Sequence, residues 1–487
     1  MSQHGNLGVS RASDRTETAM LDALINFLND IFWGYVLIYG LLAVGVYFTL
    51  RLRLIQIVHF FEMFRCVTGT GKPDADGISP LQALSVSLAS RVGTGNIAGV
   101  AVAITLGGPG AVFWMWVVAT LGMATAYAES ALAQLYKVHG PNGMYRGGPA
   151  YYIARGLGMP WLAALFSVCL ILSFGLVFNA VQSNAIAEAW QAFGVSKLWT
   201  GLALAAVTAV IIFGGIPQIA RAAEWIVPFM AGAYLLAAAI VVAVNLAEVP
   251  GILAHIVRQA FGLEPAVGGV AGGVAAAMLN GVKRGLFSNE AGMGSAPNIA
   301  AVARPDPHHP SAQGFVQALG VFIDTILVCT ATAVMILLSG AIPSPDLTGT
   351  ALTQAALAEH FGPFGLWFVA IAILLFAFTS IIGNYAYAEN AVIYLGGGMI
   401  AVLAMRLATC AMVIWGAQQA VSTVFNAADA SMGLMATINL IAIVALSGTV
   451  AILTRDYVAQ RRAGLDPEFR RSEHPGIARG VDPNIWQ

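Results

Sequence analysis

Ser90-Arg91-Val92-Gly93-Thr94-Gly95-Asn96-Ile97-Ala98-Gly99 lies in the middle of an apolar run, Ile78–Leu106, that is otherwise long enough to cross a bilayer as one helix. Two glycines one residue apart, followed by a polar amide, are costly there unless the helix opens. Unwound backbone at membrane depth is tolerated only where protein buries it or where it lines a cavity. The stretch is therefore a candidate binding site, and the rest of the chain is read outward from it.

Composition sets the class. The chain is 58% hydrophobic and 10% charged, with a mean hydropathy of +0.77, far from the soluble balance of about 25% charged. It reads as an all-α integral membrane protein. A formal net charge of −1 and the lack of a basic patch give no indication of a nucleic-acid partner. Cys66, Cys169, Cys329 and Cys410 are scattered, without metal-ligand or disulfide spacing. The eight histidines fall in tails or connections, which argues against a buried metal site. Residues 1–25 lack a short apolar core with a small-residue cleavage site and read as a polar tail rather than a signal peptide.

Eleven apolar runs are visible: Phe32–Leu50, Ile78–Leu106, Ala111–Leu135, Leu162–Ala187, Leu198–Phe213, Trp225–Leu246, Val267–Gly281, Phe315–Leu338, Phe364–Tyr387, Met399–Trp415 and Met432–Leu453. Ile55–Val67 is amphipathic and is expected along the membrane interface. Arg51, Arg53, Arg65, Lys72, Lys137, Arg146, Arg155, Arg221, Arg304 and the arginines from 455 to 479 fall on one side by alternation, which the positive-inside rule makes cytoplasmic. The N-terminus, with Arg11 and Arg15, then lies outside, and the C-terminal tail 455–487 is cytoplasmic, short and partly disordered.

Without the first run, ten remain, two sets of five in opposite orientations. This is the pattern of an inverted-repeat transporter. The segments expected are 1–31 as a tail, 32–76 as the additional helix with its interfacial piece, 77–247 and 248–454 as two five-helix repeats, and 455–487 as a second tail. Each repeat should open on an interrupted helix. The first does so at Val92-Gly93-Thr94-Gly95-Asn96, and the second within Asn280–Gly294, again rich in glycine and polar residues.

A helix broken at mid-membrane presents N–H groups at one half-helix end, which attract a carboxylate, and C=O groups at the other, which attract Na⁺ or an ammonium. An amino acid carries one of each. The simpler reading is that Gly95 and Gly99, four apart, let a neighbouring helix approach closely; both can hold together. A dinucleotide site does not fit, because these glycines sit inside an apolar helix rather than after a strand.

Ser90–Gly99 followed by Gly107-Gly108-Pro109-Gly110-Ala111-Val112-Phe113-Trp114-Met115-Trp116 resembles the alanine or glycine:cation symporter family, of the amino acid-polyamine-cation superfamily. Lys283–Pro297 and the stretch from Gln313-Gly314-Phe315 to Asp324-Thr325 resemble it too, and the likeness runs from about Phe32 to about Tyr457. It implies a leucine-transporter-type 5+5 inverted repeat with one additional N-terminal transmembrane helix, 11 spans in all. It also implies import of small neutral amino acids with Na⁺ as coupling ion, no organic cofactor and no obligate protein partner, at the plasma (inner) membrane among its lipids.

Carried over residue by residue, Thr94 and Gly95, with Asn96 beside them, would face the substrate carboxylate. Asn280, Gly281, Ser288 and Asn289 would meet the ammonium and side chain. Sodium would take carbonyl oxygens near Ala89 and Val92, with Phe376 and the hydroxyls of Thr379 and Ser380 on another helix. The plain alternative for Thr379 and Ser380 is hydroxyls bonded back to their own helix. Arg91 stands beside the place of a second cation, so one coupling ion is expected rather than two; the alternative is that it points toward the cytoplasmic gate and pairs with an acid.

Phe174, Phe178 and Gln182 share one helical face and, with Asn179, form a candidate pocket wall; core packing is the competing reading. Trp114 and Trp116 read as interface anchors. Of the intramembrane charges, Glu129, Asp324 and Glu290 nearly balance Arg91, Lys283, Arg284 and Arg406, which favours internal pairing over direct ligation. The rivals to Na⁺ symport are H⁺ coupling through Glu129 or Glu290, and exchange. A membrane-embedded hydrolase built on Ser288 is the rival from another class, and no mid-membrane histidine offers it a base.

Overall fold

The computed structural model describes residues 25, 27, 29–68, 77–140, 143–263, 269–344 and 347–486. The N-terminal tail through residue 24, Lys72 and the start of the run at Val267 lie outside them. The chain is a bundle of helices. In order they are α1 (Leu37–Arg51), α2 (Phe60–Thr68), α3 (Pro80–Arg91), α4 (Gly95–Gly107), α5 (Gly110–Leu135) and α6 (Pro149–Gly156). Next come α7 (Pro160–Gln191), α8 (Lys197–Ile212), α9 (Gly215–Val244), α10 (Val249–Ala260), α11 (Gly269–Asn289) and α12 (Pro310–Leu338). The last are α13 (Gly349–Phe361), α14 (Pro363–Tyr394), α15 (Met399–Ala417), α16 (Val421–Ala445) and α17 (Ser447–Arg462). A two-stranded antiparallel hairpin, Val138–His139 with Tyr145–Arg146, joins α5 to α6.

Among the described residues, seven helices are long and apolar enough to cross a membrane: α5, α7, α9, α12, α14, α15 and α16. The segments α1, α4 and α8 are apolar but shorter. Leu236, Phe229, Trp225 and Ile400 stay exposed on the outer face of the bundle, as lipid contact requires. Around the centre, α12 and α11 pack on α5, α14 packs on α3 and α9, and α7 packs on α15.

Several boundaries differ from the hydropathy reading. The run Met432–Leu453 is not one helix: α16 starts at Val421 and ends at Ala445, and α17 begins at Ser447. The run at Trp225–Leu246 belongs to a helix that starts at Gly215, with Pro228 inside it. Apolar count alone misplaces such ends, because capping and packing, not hydropathy, decide where a helix stops.

The first leading helix opens where expected. Val92 takes φ −75° and ψ 83°, leaving α3 after Arg91. The second is continuous through Asn280 and Gly281 and breaks only after Asn289, in the turns that precede the short helix Pro297–Ala300. Gly281 instead lets α11 press on α5, since a Cβ there would lie 2.4 Å from the Ala111 carbonyl oxygen.

The C-terminal tail is ordered, contrary to expectation. Phe469, Ile477, Val481, Ile485 and Trp486 are buried in the main core. Trp486 donates its indole N–H to the Gln134 carbonyl (3.2 Å) and lies 4.7 Å from the His308 ring. Arg155 donates to the Gly480 carbonyl at 3.1 Å. Nearby, His309 caps α12 by accepting the Ser311 N–H on Nδ1 (3.0 Å), and its Nε2 meets Asp456 at 3.1 Å. Burial holds this imidazole below its ordinary value, with Asp456 opposing, so the neutral ring is the capping form. Trp486→Ala should therefore cost about 3 kcal/mol, the range for emptying a buried aromatic site, read as a lower midpoint of thermal unfolding in detergent; an unchanged midpoint would contradict this packing.

Candidate binding site

The break between α3 and α4 rearranges backbone hydrogen bonds. The Gly93 N–H donates to Asn96 Oδ1 (2.9 Å) and the Thr94 N–H to Gln182 Oε1 (3.0 Å). In a continuous helix those two N–H groups would bond the carbonyls of Ala89 and Ser90. The side chains have taken the donors, so these carbonyls lack the partners a continuous helix would give them. The first turn of α4, Gly95–Gly99, is of the wide π type, as are Ile171–Val177 in α7 and Phe322–Cys329 in α12; such turns commonly mark functional sites. Hydroxyls from Thr332 and Thr353 cap the Asn96 and Ile97 carbonyls at 2.6 and 3.2 Å.

On one side of the break stands α14. Thr379 and Ser380 both donate to the Phe376 carbonyl, at 2.9 and 3.0 Å. Thr379 also reaches Met230 Sδ on α9 at 3.8 Å, while the Ser380 hydroxyl places its proton on its own helix, leaving its lone pairs as acceptors. Those of Ser380 meet the break, because a Cβ on Gly93 would fall 2.3 Å from Ser380 Oγ and 2.8 Å from Gln182 Oε1. Back-bonding and cation ligation are therefore compatible.

On the other side is a buried polar cluster. Asn96 Nδ2 donates to Asp324 Oδ1 (2.7 Å) and to the Asp324 carbonyl (3.0 Å). Ser288 Oγ donates to Asp324 Oδ2 at 2.5 Å and Thr325 Oγ1 to the same oxygen at 2.7 Å. Cys329 Sγ lies 3.1 Å from Ser288 Oγ. Thr94 Oγ1, fully buried, has no partner among the described residues.

Aromatic rings close the site toward α16. Phe174 stacks on Phe178 (4.4 Å) and Phe178 on Phe287 (4.8 Å), while Phe425 lies 5.5 Å from Phe287. A Cβ on Gly95 would already touch Phe287 Cδ1 at 3.1 Å. Above the rings Arg284 binds both oxygens of Asp429, at 2.6 and 2.5 Å, and Lys283 is 3.8 Å from the same carboxylate.

Toward the tail, Glu129 accepts the Gly292 and Gly294 N–H groups, each at 3.2 Å, and Asn439 Nδ2 at 2.8 Å. Glu290 accepts Ser90 Oγ (2.8 Å) and Ser295 Oγ (2.5 Å), tying the end of α3 to the turn after α11. A second layer there joins Glu389 to Arg146 at 3.4 Å and Arg406 at 3.8 Å. Arg91 is buried and donates to the Gln317 carbonyl at 3.2 Å.

Thr94, Gly95, Asn96, Phe174, Phe178, Gln182, Ser288, Phe376 and Ser380 thus come together around the break at Val92, one turn beyond Ala89, whereas the Thr379 hydroxyl, next to Ser380 on α14, lies 3.8 Å from Met230 Sδ on α9. Asn280, Gly281 and Asn289 do not join them. Asn280 bonds back to the Ala276 carbonyl (2.9 Å), and Asn289 Oδ1 accepts the Ala291 N–H (3.0 Å), capping the turn. Sequence reasoning missed Asp429, Glu389, Thr325 and Cys329. Asp429 and Glu389 carried the signal it used elsewhere, an ionisable residue within an apolar helix.

The profile of the sodium:alanine symporter family matches residues 18–471. The chain is similar to the "Probable sodium/glutamine symporter GlnT" of Bacillus subtilis (strain 168), 48% identical over 463 residues that cover 94% of this chain and 96% of that protein. It is likewise 48% identical over 461 residues to the same organism's "Amino-acid carrier protein AlsT", covering 94% and 97%. With the "Sodium/alanine symporter AgcS" of Methanococcus maripaludis the identity is 40% over 446 residues, covering 89% and 97%.

Proposed function

Because the chain belongs to the sodium:alanine symporter family, a family of membrane transporters rather than enzymes, we propose that it imports small neutral amino acids, alanine or glycine, by symport with Na⁺. The proposal includes eleven crossings arranged as one leading helix plus two inverted sets of five, with the C-terminus cytoplasmic and the N-terminus outside. The clustering of Lys137, Arg155, Arg304 and the tail arginines at one end supports that orientation.

One observation carries the reading: at the α3–α4 break the Gly93 and Thr94 N–H groups turn to side-chain acceptors, and the Ser380 hydroxyl of α14 stands directly against Gly93. Carbonyl and hydroxyl oxygens are hard ligands suited to an alkali cation. The substrate carboxylate would displace Gln182 from the Thr94 N–H, and the ammonium would meet Asp324 or the Ser288 and Asn96 side chains that surround it. The Phe174–Phe178–Phe287 stack against Gly95 favours a short side chain, and so alanine or glycine over glutamine.

Alternating access follows from the two closing layers. The ring stack with Arg284–Asp429 would part to admit substrate from outside, while Glu129 on the Gly292 and Gly294 amides, with Glu389 between Arg146 and Arg406, holds the inner side. Release would reverse the two. H⁺ coupling has its own support in Glu290, a buried carboxylate held by two hydroxyls and by no ion pair among the described residues.

Equilibrium binding of labelled L-alanine to purified protein, in NaCl against KCl, tests the assignment. Binding should require Na⁺, and Ser380→Ala should raise the half-saturating Na⁺ concentration by about tenfold, as expected for losing one ion-bound hydroxyl. Binding of equal strength in KCl would contradict the sodium site.

A further inference from the structure

A polar cleft that shares no lining residue with the central site lies where α1 ends against α17. We infer that this cleft binds the phosphate group of an anionic phospholipid headgroup. Its walls, about 260 Å³ in volume, include Arg51, Arg53, Arg455 and Arg462, with His59 beside them. Among the described residues, no carboxylate lines it.

The charges are uncompensated among the described residues. None of the four arginines is ion-paired among the described residues. The two acids close by are already engaged: Glu62 by Arg461 (2.7 Å) and Tyr457 (2.6 Å), and Asp456 by His309 and Gln460, each at 3.1 Å. Four guanidinium groups around one small cleft repel each other unless an anion joins them, and the planar fork of arginine matches phosphate oxygens.

The walls are built by local structure on both sides. Along α17, Ala451, Arg455, Val458 and Arg462 recur at helical spacing on the face that lines the cleft. On the α1 side, Arg53 and Leu54 both take left-handed backbone, φ +57° and +58°. That conformation is uncommon for residues other than glycine, and unusual in succession; such strain gathers at ligand clamps.

Position selects the source of the phosphate. The elbow lies at the end of an apolar helix, and the segment after it exposes Ile57, Val58, Phe61 and Phe64, the last two on α2. An amphipathic segment of this kind rests at the acyl–headgroup boundary. Leu52, Val58, Ala451, Val458 and Ala459 supply an apolar lining between the arginines, which a glycerol backbone can use and free phosphate cannot. Basic pockets at this depth hold anionic headgroups through charge as well as shape.

The test is native mass spectrometry of the full chain released from nanodiscs of phosphatidylglycerol and phosphatidylcholine. Wild type should retain phosphatidylglycerol about tenfold more than Arg53→Gln/Arg455→Gln/Arg462→Gln, given the attraction each basic residue adds at a membrane surface. The same three positions changed to Lys should keep most of the retention. Should the triple variant fail to fold, Arg455→Gln alone, on an exposed helix face, should still lower it. Equal retention in the Gln variants overturns the inference. Displacement of the lipid by an equimolar amount of inorganic phosphate also overturns it, since the cleft would then be a soluble-phosphate site.

Discussion

Gly93→Ala is expected to lower Na⁺-driven uptake about a hundredfold while leaving the protein folded in the membrane, the effect of roughly 2–3 kcal/mol of overpacking placed on the site itself. The added methyl carbon would stand 2.3 Å from Ser380 Oγ and 2.8 Å from Gln182 Oε1. Neither neighbour can yield without loss. Turning Ser380 away breaks its bond to the Phe376 carbonyl and removes its lone pairs from the break. Moving Gln182 releases the Thr94 N–H. The comparison is Gly232→Ala in α9, where nothing lies within 4 Å of a new Cβ, and which should transport normally. Uptake by Gly93→Ala with the wild-type Na⁺ dependence would mean that this contact is not part of the cation site.

Asp429→Ala should be the most damaging single change at the Arg284–Asp429 layer. Arg284 and Asp429 have side chains 4% and 5% exposed, and removing the carboxylate strands a buried guanidinium and the Lys283 ammonium near it. Breaking one partner of a buried ion pair costs about 3–5 kcal/mol, whereas replacing both with apolar groups is often close to neutral. Asp429→Ala should therefore lower the thermal midpoint sharply, and Arg284→Met added to it should recover much of the loss. Strictly additive losses in that double-mutant cycle would show that the two groups are not coupled. Because the Arg284 guanidinium lies over Phe287 and Phe425, the rescued double variant also tests the proposed gate: stable but leaky to substrate is the expected behaviour.

The opening of the first leading helix was legible because it is a local matter. Gly93 and Gly95 remove helix propensity within three residues, and Asn96 supplies a side-chain acceptor three residues on, whatever the neighbours are. The alignment of Phe174, Phe178 and Gln182 was likewise a question of helical phase. What failed depended on which element faces which. Asn280 and Gly281 look like a break in composition, yet α11 stays helical there because Gly281 is used for contact with α5. The true end after Asn289 coincides with the Gly292 and Gly294 amides that Glu129 binds, a contact across more than 160 positions. Such pairings leave no trace in local periodicity.

The tail was misread for a related reason. Its apolar residues, Phe469, Ile477, Val481, Ile485 and Trp486, are spaced without helical or strand period among charged and polar residues, a pattern that resembles disorder. They are ordered by surfaces made elsewhere in the chain, chiefly the end of α5 and the segment before α12. Charge pairing was anticipated in kind but not in detail: Lys283, Arg284 and Arg406 do pair internally, with Asp429 and Glu389 rather than with Glu129, Glu290 or Asp324.

The most direct test of Na⁺ symport is uptake of labelled L-alanine into proteoliposomes under an inward Na⁺ gradient, with matched K⁺ and pH-gradient controls. Accumulation above equilibrium in the Na⁺ arm alone is the predicted result. Accumulation driven by the pH gradient without Na⁺ would contradict it, and would move the coupling role from the α3–α4 break and Ser380 to a buried carboxylate such as Glu290.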